Sequence, residues 1–463
     1  MSTLSPTPVG FAPTPYGPTP SPRQLAWHRR EQYGFIHFTQ NTFTDKEWGL
    51  GDEAPATFNP TALDCRQWVA AAKAGGLKAL VLTAKHHDGF CLWPTETTSH
   101  SVAGSPFRSG QSDLVREFVD ACREGGIGAG LYCSPWDRNH PAYGTPAYVD
   151  VYHAQWRELL TNYGPLVELW FDGANGGDGY YGGAREKRTI DAFTYYRFDE
   201  LWATCRELQP EAVIFSDAGP DIRWCGNERG LNSFTSWCRI HPKGIAPGKV
   251  DNLSRLPLGE ADGTVWRPAE VDVSIRHGWF YHPNERPRTS DELFHIWLAS
   301  VGRNAGLLLN LAPDRRGLIP EEDVAVLHQF RHRVETFTAY DLAECRAIEA
   351  SSTAAGTPAA LLDGSRETYW AAGRPDAEVT IDFGLQVRIG GIRIEEAIQF
   401  GQRVEAFQIQ VRVFNVWLDV ANGTTIGAQR ILRLEQAVGD QLRVRILAAR
   451  ANPILSRLQI YAA

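Results

Sequence analysis

Positive charge is never concentrated in this sequence. Its 46 Lys and Arg residues form no runs and are outnumbered by 54 Asp and Glu. A nucleic-acid partner requires a dense cationic face, so a net charge of −8 argues against one. Long apolar runs are missing as well: none approaches the ~20 residues that span a bilayer, so no membrane role is expected. Residues 1–23 are rich in Pro, Ser and Thr and lack both the basic stretch and the apolar core of a signal peptide. The expected compartment is therefore the cytoplasm, or a secreted or periplasmic one if a leader has been removed. The eight cysteines fall at irregular spacing, mostly in apolar segments such as those around Cys91, Cys133 and Cys205. That pattern fits core thiols rather than a disulfide framework or a zinc motif. No glycine-rich phosphate turn follows the first apolar strand, and no nucleophile elbow marks a serine or cysteine triad. No cofactor is implied, and nothing fixes an oligomeric state.

What is present is an ordinary globular composition, 43% hydrophobic and 22% charged, over 463 residues. That length suits a barrel plus a smaller module. Fifteen Trp and fifteen Tyr are many. Large rings fill cores, and they also stack on the apolar faces of sugars.

Two textures divide the chain. Short apolar runs at 34–38, 77–83, 127–133, 166–171, 212–216, 271–275 and 307–311 alternate with helical patterns at 63–74, 112–124, 146–162, 193–208 and 290–301. Strands that read as continuous apolar runs are buried on both faces, the mark of a parallel sheet, and repeated βα units predict a (β/α)8-like barrel over 24–340. The segment 1–23 is an N-terminal Pro-rich arm. From 345 to 463 the pattern becomes short alternating strands, at 379–383, 389–394, 407–413, 431–435, 442–447 and 458–461, with turns at Asp363-Gly364 and Asn422-Gly423. These predict an all-β sandwich.

Polar residues gather where the barrel strands end. His37 closes the first, Lys85-His86-His87-Asp88 follows the second, Tyr132 ends the third, Asp172 follows the fourth and Ser216-Asp217 the fifth. Each alone is what a turn or a satisfied core histidine would show. Their coincidence at equivalent ends is where a barrel carries its active site. A metal site built from His37, His86, His87 and Asp172 is disfavoured. The residue two beyond His37 is Thr39, and the adjacent His86 and His87 point to opposite sides of an extended chain. Glycoside chemistry with two carboxyl groups fits better. One must be ionised and rigid, as Asp172 would be at a strand end; the other must be held protonated. Glu228 is the preferred second group, with Asp217 and Glu270 as rivals.

Several segments together resemble the α-L-fucosidases of glycoside hydrolase family 29. They are Phe35-Ile36-His37-Phe38, Asn41-Thr42-Phe43-Thr44-Asp45-Lys46-Glu47-Trp48-Gly49, Ala84-Lys85-His86-His87-Asp88-Gly89-Phe90, Leu169-Trp170-Phe171-Asp172-Gly173 and Asn304-Ala305-Gly306-Leu307-Leu308-Leu309-Asn310. The segments Arg223-Trp224-Cys225-Gly226-Asn227-Glu228 and Ser274-Ile275-Arg276-His277-Gly278-Trp279-Phe280 resemble the subgroup acting on α-1,3/1,4-linked fucose. The resemblance implies a retaining mechanism with Asp172 as nucleophile and Glu228 as acid/base, and transfer of fucose to sugar acceptors is compatible with it. His37, His86, His87 and Tyr132 would bind the fucose hydroxyls. Glu47, Trp48 and Trp170 would line the pocket, and Arg223, Trp224 and Trp279 would contact substrate. The partner implied is a fucosylated oligosaccharide or glycoconjugate. The C-terminal module resembles galactose-binding-like sandwiches, through Leu362-Asp363-Gly364, Thr368-Tyr369-Trp370 and Gly423-Thr424-Thr425-Ile426-Gly427. An α-L-galactosidase, or a fucose-binding lectin without turnover, remains an alternative.

Overall fold

The computed structural model describes residues 12–463. The first eleven residues of the expected arm lie outside the described residues. Eight parallel strands close into a barrel: β1 (Gln32–Ile36), β2 (Ala79–Lys85), β3 (Gly128–Cys133), β4 (Glu168–Trp170), β5 (Val213–Ser216), β6 (Ile222–Trp224), β7 (Ala269–Ser274) and β8 (Ala305–Leu311), with β8 pairing back onto β1.

Seven of these strands fall within a few residues of the apolar runs, and β6 is the exception. Only residues 217–221 separate it from β5, and Phe215 already pairs with Ile222 in parallel. Without an intervening helix the change of period that marks a new βα unit is absent. The Arg223-to-Glu228 segment therefore begins as a barrel strand and continues as the loop beyond the sixth strand.

Alternation along the strands sorts their side chains. Tyr33, Phe35, Val81, Tyr132, Trp170, Val213, Phe215, Ile222 and Leu308 form the cluster inside the barrel. Ile36, Leu80, Leu82, Leu131, Leu169, Ile214, Val271, Leu307 and Leu309 face the surrounding helices. Helices Cys65–Ala74, Leu114–Gly125, Pro146–Asn162, Phe198–Leu208 and Ser290–Ser300 occupy the expected stretches. Among the described residues two long helices lack a sequence forecast, Pro22–Arg30 and Glu321–Thr338, as do the short ones Gln40–Thr44 and Arg255–Leu258. The first begins inside the expected arm, its start fixed by a reciprocal Ser21–Gln24 capping box with Pro22 in the first turn. Its Trp27 donates to the Tyr33 hydroxyl (2.7 Å) and lies where a Cβ on Gly306 would sit 2.5 Å from the ring.

The C-terminal domain has strands β9 (Ala347–Ala350), β10 (Ala355–Gly356), β11 (Trp370–Ala371), β12 (Glu378–Glu396), β13 (Val404–Val413), β14 (Val416–Gly423), β15 (Arg430–Ala449) and β16 (Ile454–Ala462), all antiparallel, in the order β10-β11-β16-β12-β15-β13-β14 with β9 on β12. The runs 379–383 and 389–394 are one strand, β12, bent by register shifts. The runs 431–435 and 442–447 are likewise one strand, β15. Asn422-Gly423 ends β14, a strand with no buried residue and hence no apolar signature.

A charged cluster joins the domains. Arg393 of β12 donates to Glu395 (2.7 Å) and to Glu31, which follows the first helix, while Arg366 reaches the same two carboxylates at 2.7 Å each. These cations pull the Glu31 carboxyl down to about 2 despite its burial. Removing one partner of a buried ion pair costs about 3–5 kcal/mol, because the other charge stays behind unpaired. Arg393→Ala should lower unfolding free energy in urea by that amount. A loss below about 1 kcal/mol, the value of an exposed pair, would show that the cluster adds nothing at this interface.

Candidate active site

The inward faces of the barrel strands converge, at their C-terminal ends, on a cavity of about 360 Å³, the size of a small-molecule site. Going round the barrel, β1 leads to His37, β2 to His86 and His87, and β3 supplies Tyr132. Asp172 lies just beyond β4, Asp217 just beyond β5, Trp224 ends β6 with Glu228 four residues on, and Asp272 stands on β7. Trp170 and Phe35 form the floor, with Trp170 stacked on Phe215 at 4.2 Å, and Trp48 and Trp279 stand at the walls.

The three histidines are neutral and differ in what they present. His37 Nδ1 meets Asn310 Oδ1 at 2.8 Å, and the Asn310 amide NH2 donates to Ser274 Oγ and to the Trp279 carbonyl. His37 therefore donates through Nδ1, leaving Nε2 an acceptor. His87 Nδ1 lies 2.7 Å from Ser134 Oγ, whose own proton goes to the Trp136 carbonyl, so His87 also keeps Nε2 free as an acceptor. At His86 the polarity reverses. Asn41 donates to its Nδ1, which leaves Nε2–H as a donor. Burial lowers the pKa of His37 to about 3, of His87 to about 4, and of His86 well below its ordinary value. The set offers acceptors and donors without charge, as a neutral polyol requires.

Asp172 is fixed at both oxygens. Oδ2 accepts from the Tyr132 hydroxyl at 2.8 Å and Oδ1 from the Ala174 N–H at 2.7 Å. The acceptor nitrogen of His87 is 3.8 Å from Oδ2. Glu228 stands at the rim with Oε2 accepting from the Trp279 indole at 3.2 Å. Partial burial raises its pKa above the ordinary value against that hydrogen bond, with smaller contributions from the charges of Asp172 and Glu47. Asp272 accepts from the Trp224 indole at 2.7 Å, and burial raises its pKa strongly.

Of the expected site residues, His37, Trp48, His86, His87, Tyr132, Trp170, Asp172, Trp224, Glu228 and Trp279 all line this cavity, as does the rival Asp217. Three do not. Arg223 is a correction: on β6 its side chain points away from the cavity, fully buried, and donates to the carbonyls of Leu256, Trp237 and Arg267. Glu47 stands behind the wall, accepting from the N–H groups of Trp279 (2.8 Å) and Phe280 (3.1 Å) and pairing with His282. Glu270 lies below the floor, where it accepts from the Trp170 indole (2.8 Å) and from Tyr33, out of reach of a substrate. Asp272 was missed. The signal was present, since it is two residues beyond the inward-facing Glu270.

At a pH of about 5.5 a free imidazole is mostly protonated, given its pKa of about 6.5. His37, His86 and His87 should remain neutral there, with Nδ1–H on His37 and His87 and Nε2–H on His86, as read from imidazole nitrogen shifts by NMR. A midpoint near 6.5 for any of them would contradict this description of the pocket.

The Alpha-L-fucosidase family model matches residues 16–335, and the F5/8 type C domain model matches residues 347–460. Alpha-L-fucosidase 1 of Arabidopsis thaliana is 41% identical over 97% of this chain and 88% of its own length. The crystal structure of a glycoside hydrolase 29 family member from an unknown rumen bacterium superposes with a TM-score of 0.88 at 40% identity, covering 97% of this chain and 78% of that one. A Ruminococcus gnavus family 29 fucosidase, solved in complex with fucose, gives 0.88 at 30% identity over 98% and 97% of the two chains. The family match spans the whole barrel that holds the neutral imidazoles, the anchored aspartate and the aromatic floor, and the chain belongs to the α-L-fucosidases of glycoside hydrolase family 29.

Proposed function

We propose that this glycoside hydrolase releases terminal α-1,3/1,4-linked L-fucose from branched glycans with retention of configuration, Asp172 acting as nucleophile and Glu228 as acid/base. The observation that carries the reading is the contrast between the two carboxyls. Asp172 is held rigidly by two hydrogen-bond donors at a strand tip. Glu228 has its pKa raised on a loop at the rim of the same cavity. A nucleophile must be ionised and aimed, and an acid must keep its proton until the leaving oxygen takes it.

In the first step Asp172 attacks C1 of fucose while the Glu228 proton passes to the glycosidic oxygen, so the C1–O bond breaks as the Asp172–C1 bond forms. In the second, Glu228 takes a proton from water, whose oxygen displaces Asp172. A sugar hydroxyl in place of that water gives transfucosylation. His37 and His87 accept from fucose hydroxyls and His86 donates to one, while Trp170 and Phe35 face the apolar parts of the ring. The linkage preference is supported by the two segments that resemble the α-1,3/1,4 subgroup, which supply Trp224, Glu228 and Trp279 to the cavity.

Wild-type enzyme should release fucose from Lewis-type trisaccharides far faster than from 2′-fucosyllactose. Loss of general acid catalysis costs about 10²–10⁴-fold. Glu228→Ala should lose that much on the trisaccharide and much less on an aryl fucoside with an activated leaving group. Equal losses on both substrates would assign the acid to another residue, and faster cleavage of 2′-fucosyllactose would overturn the linkage.

A further inference from the structure

Four carboxyl groups line the cavity, Asp172, Asp217, Glu228 and Asp272, and the proposed chemistry uses two. Asp272 is engaged by the Trp224 indole. Asp217 remains to be explained.

Its position follows from the sheet. Trp170 pairs with Phe215 across β4 and β5, so two residues further on Asp217 stands beside Asp172 at the same level of the barrel. A Cβ on Gly173 would lie 2.1 Å from Asp217 Oδ2, so the carboxyl packs directly against the residue after Asp172. That oxygen accepts the N–H of Gly248 at 2.8 Å, from the hairpin formed by Ile245–Ala246 and Lys249–Val250. Oδ1 has no hydrogen-bond partner among the described residues.

The groups around the rim are segregated by chemistry. The neutral imidazoles and Tyr132 come from β1–β3, while the carboxyls come from β4–β7. Glu228 must reach the glycosidic oxygen, so the leaving sugar lies on the carboxyl side, where Asp217 sits between nucleophile and acid. The charged groups facing Asp217 are Asp172 from β4 and Glu228 from beyond β6. The hairpin offers it only an N–H, because Lys249 extends over the Phe193 ring, 5.2 Å from its centre. Burial beside these two carboxyls carries the pKa of Asp217 to about 7.

We propose that Asp217 is a specificity-determining residue that works as a carboxylic acid, its O–H donating to an oxygen of the leaving-group sugar. The inference rests on the assignment of Asp172 and Glu228 above. It adds a contact that a natural glycan makes and an aryl fucoside, with no oxygen at that place, does not. Ionisation removes the donor, so oligosaccharide cleavage should weaken as pH rises through neutrality.

The test compares kcat/KM for a Lewis-type trisaccharide and a nitrophenyl fucoside across pH, for wild type, Asp217→Ala and Asp217→Asn. A lost hydrogen bond at a buried partner is worth about tenfold to a hundredfold. Asp217→Ala should lose that factor on the trisaccharide beyond any loss on the aryl substrate. Asp217→Asn keeps an oxygen for the Gly248 N–H and an uncharged donor for the sugar. It should recover most of the difference and move the alkaline fall on the trisaccharide to higher pH. Losses equal on both substrates, or an Asn variant no better than Ala, would overturn the inference. Wild type inactive on both substrates would instead remove the assignment beneath it.

Discussion

The hydrogen bond from the Tyr132 hydroxyl to Asp172 ties the barrel to its chemistry. Tyr132 lies inside the barrel between Phe35, Trp170 and the histidines, its ring 5.4 Å from that of Trp170. Its orientation is therefore set by core packing, not by a mobile loop. A carboxylate aimed by such a group is placed before substrate arrives, and the reorganisation that water would need is avoided. The stack continues downward. Trp170 is held by Glu270, Glu270 by Tyr33, and Tyr33 by Trp27 of the first helix. Glu270 is buried beside Glu168, whose pKa is raised strongly by burial first and then by the neighbouring Glu270 carboxyl. The base of the barrel is thus a polar support for the aromatic floor.

The pocket walls divide the work between neutral and ionisable groups. Fucose carries no charge, and the β1–β3 side meets it with imidazoles that burial keeps neutral. Ionisable groups are concentrated on the β4–β7 side, where a bond must be polarised. Lys85, buried and bonded to Tyr148 (3.0 Å) and Gln155 (2.8 Å), holds the strand end from which His86 and His87 project. Glu47 does the same for Trp279 from outside the cavity. Both were conspicuous in the sequence, and both act one layer behind the substrate.

Much of this was legible in the residues, for a physical reason. Buried strands flanked by amphipathic helices are hard to mistake, and a polar residue directly after such a strand stands where barrels place their sites. His37, His86, Tyr132 and Asp172 stand out on that ground, and all four line the one cavity. Elsewhere the period gives no warning. The sixth strand follows the fifth after a short link, so Arg223, expected to contact substrate, is instead a strand residue whose side chain is buried among backbone carbonyls. In the C-terminal domain β14 buries none of its side chains and leaves no apolar pattern, while β12 and β15 bend at points that looked like turns. Asp272 could have been found by counting in twos from Glu270, since β7 alternates Glu270, Asp272 and Ser274 with Val271 and Val273.

The mechanism depends on which side chain bonds to the sugar. Incubation with 2-deoxy-2-fluoro-fucosyl fluoride, followed by proteolysis and mass spectrometry, identifies it directly, since the fluorine slows release of the glycosyl-enzyme. One fucosyl group per chain, on the peptide carrying Asp172, is the result predicted. An adduct on any other residue would contradict it.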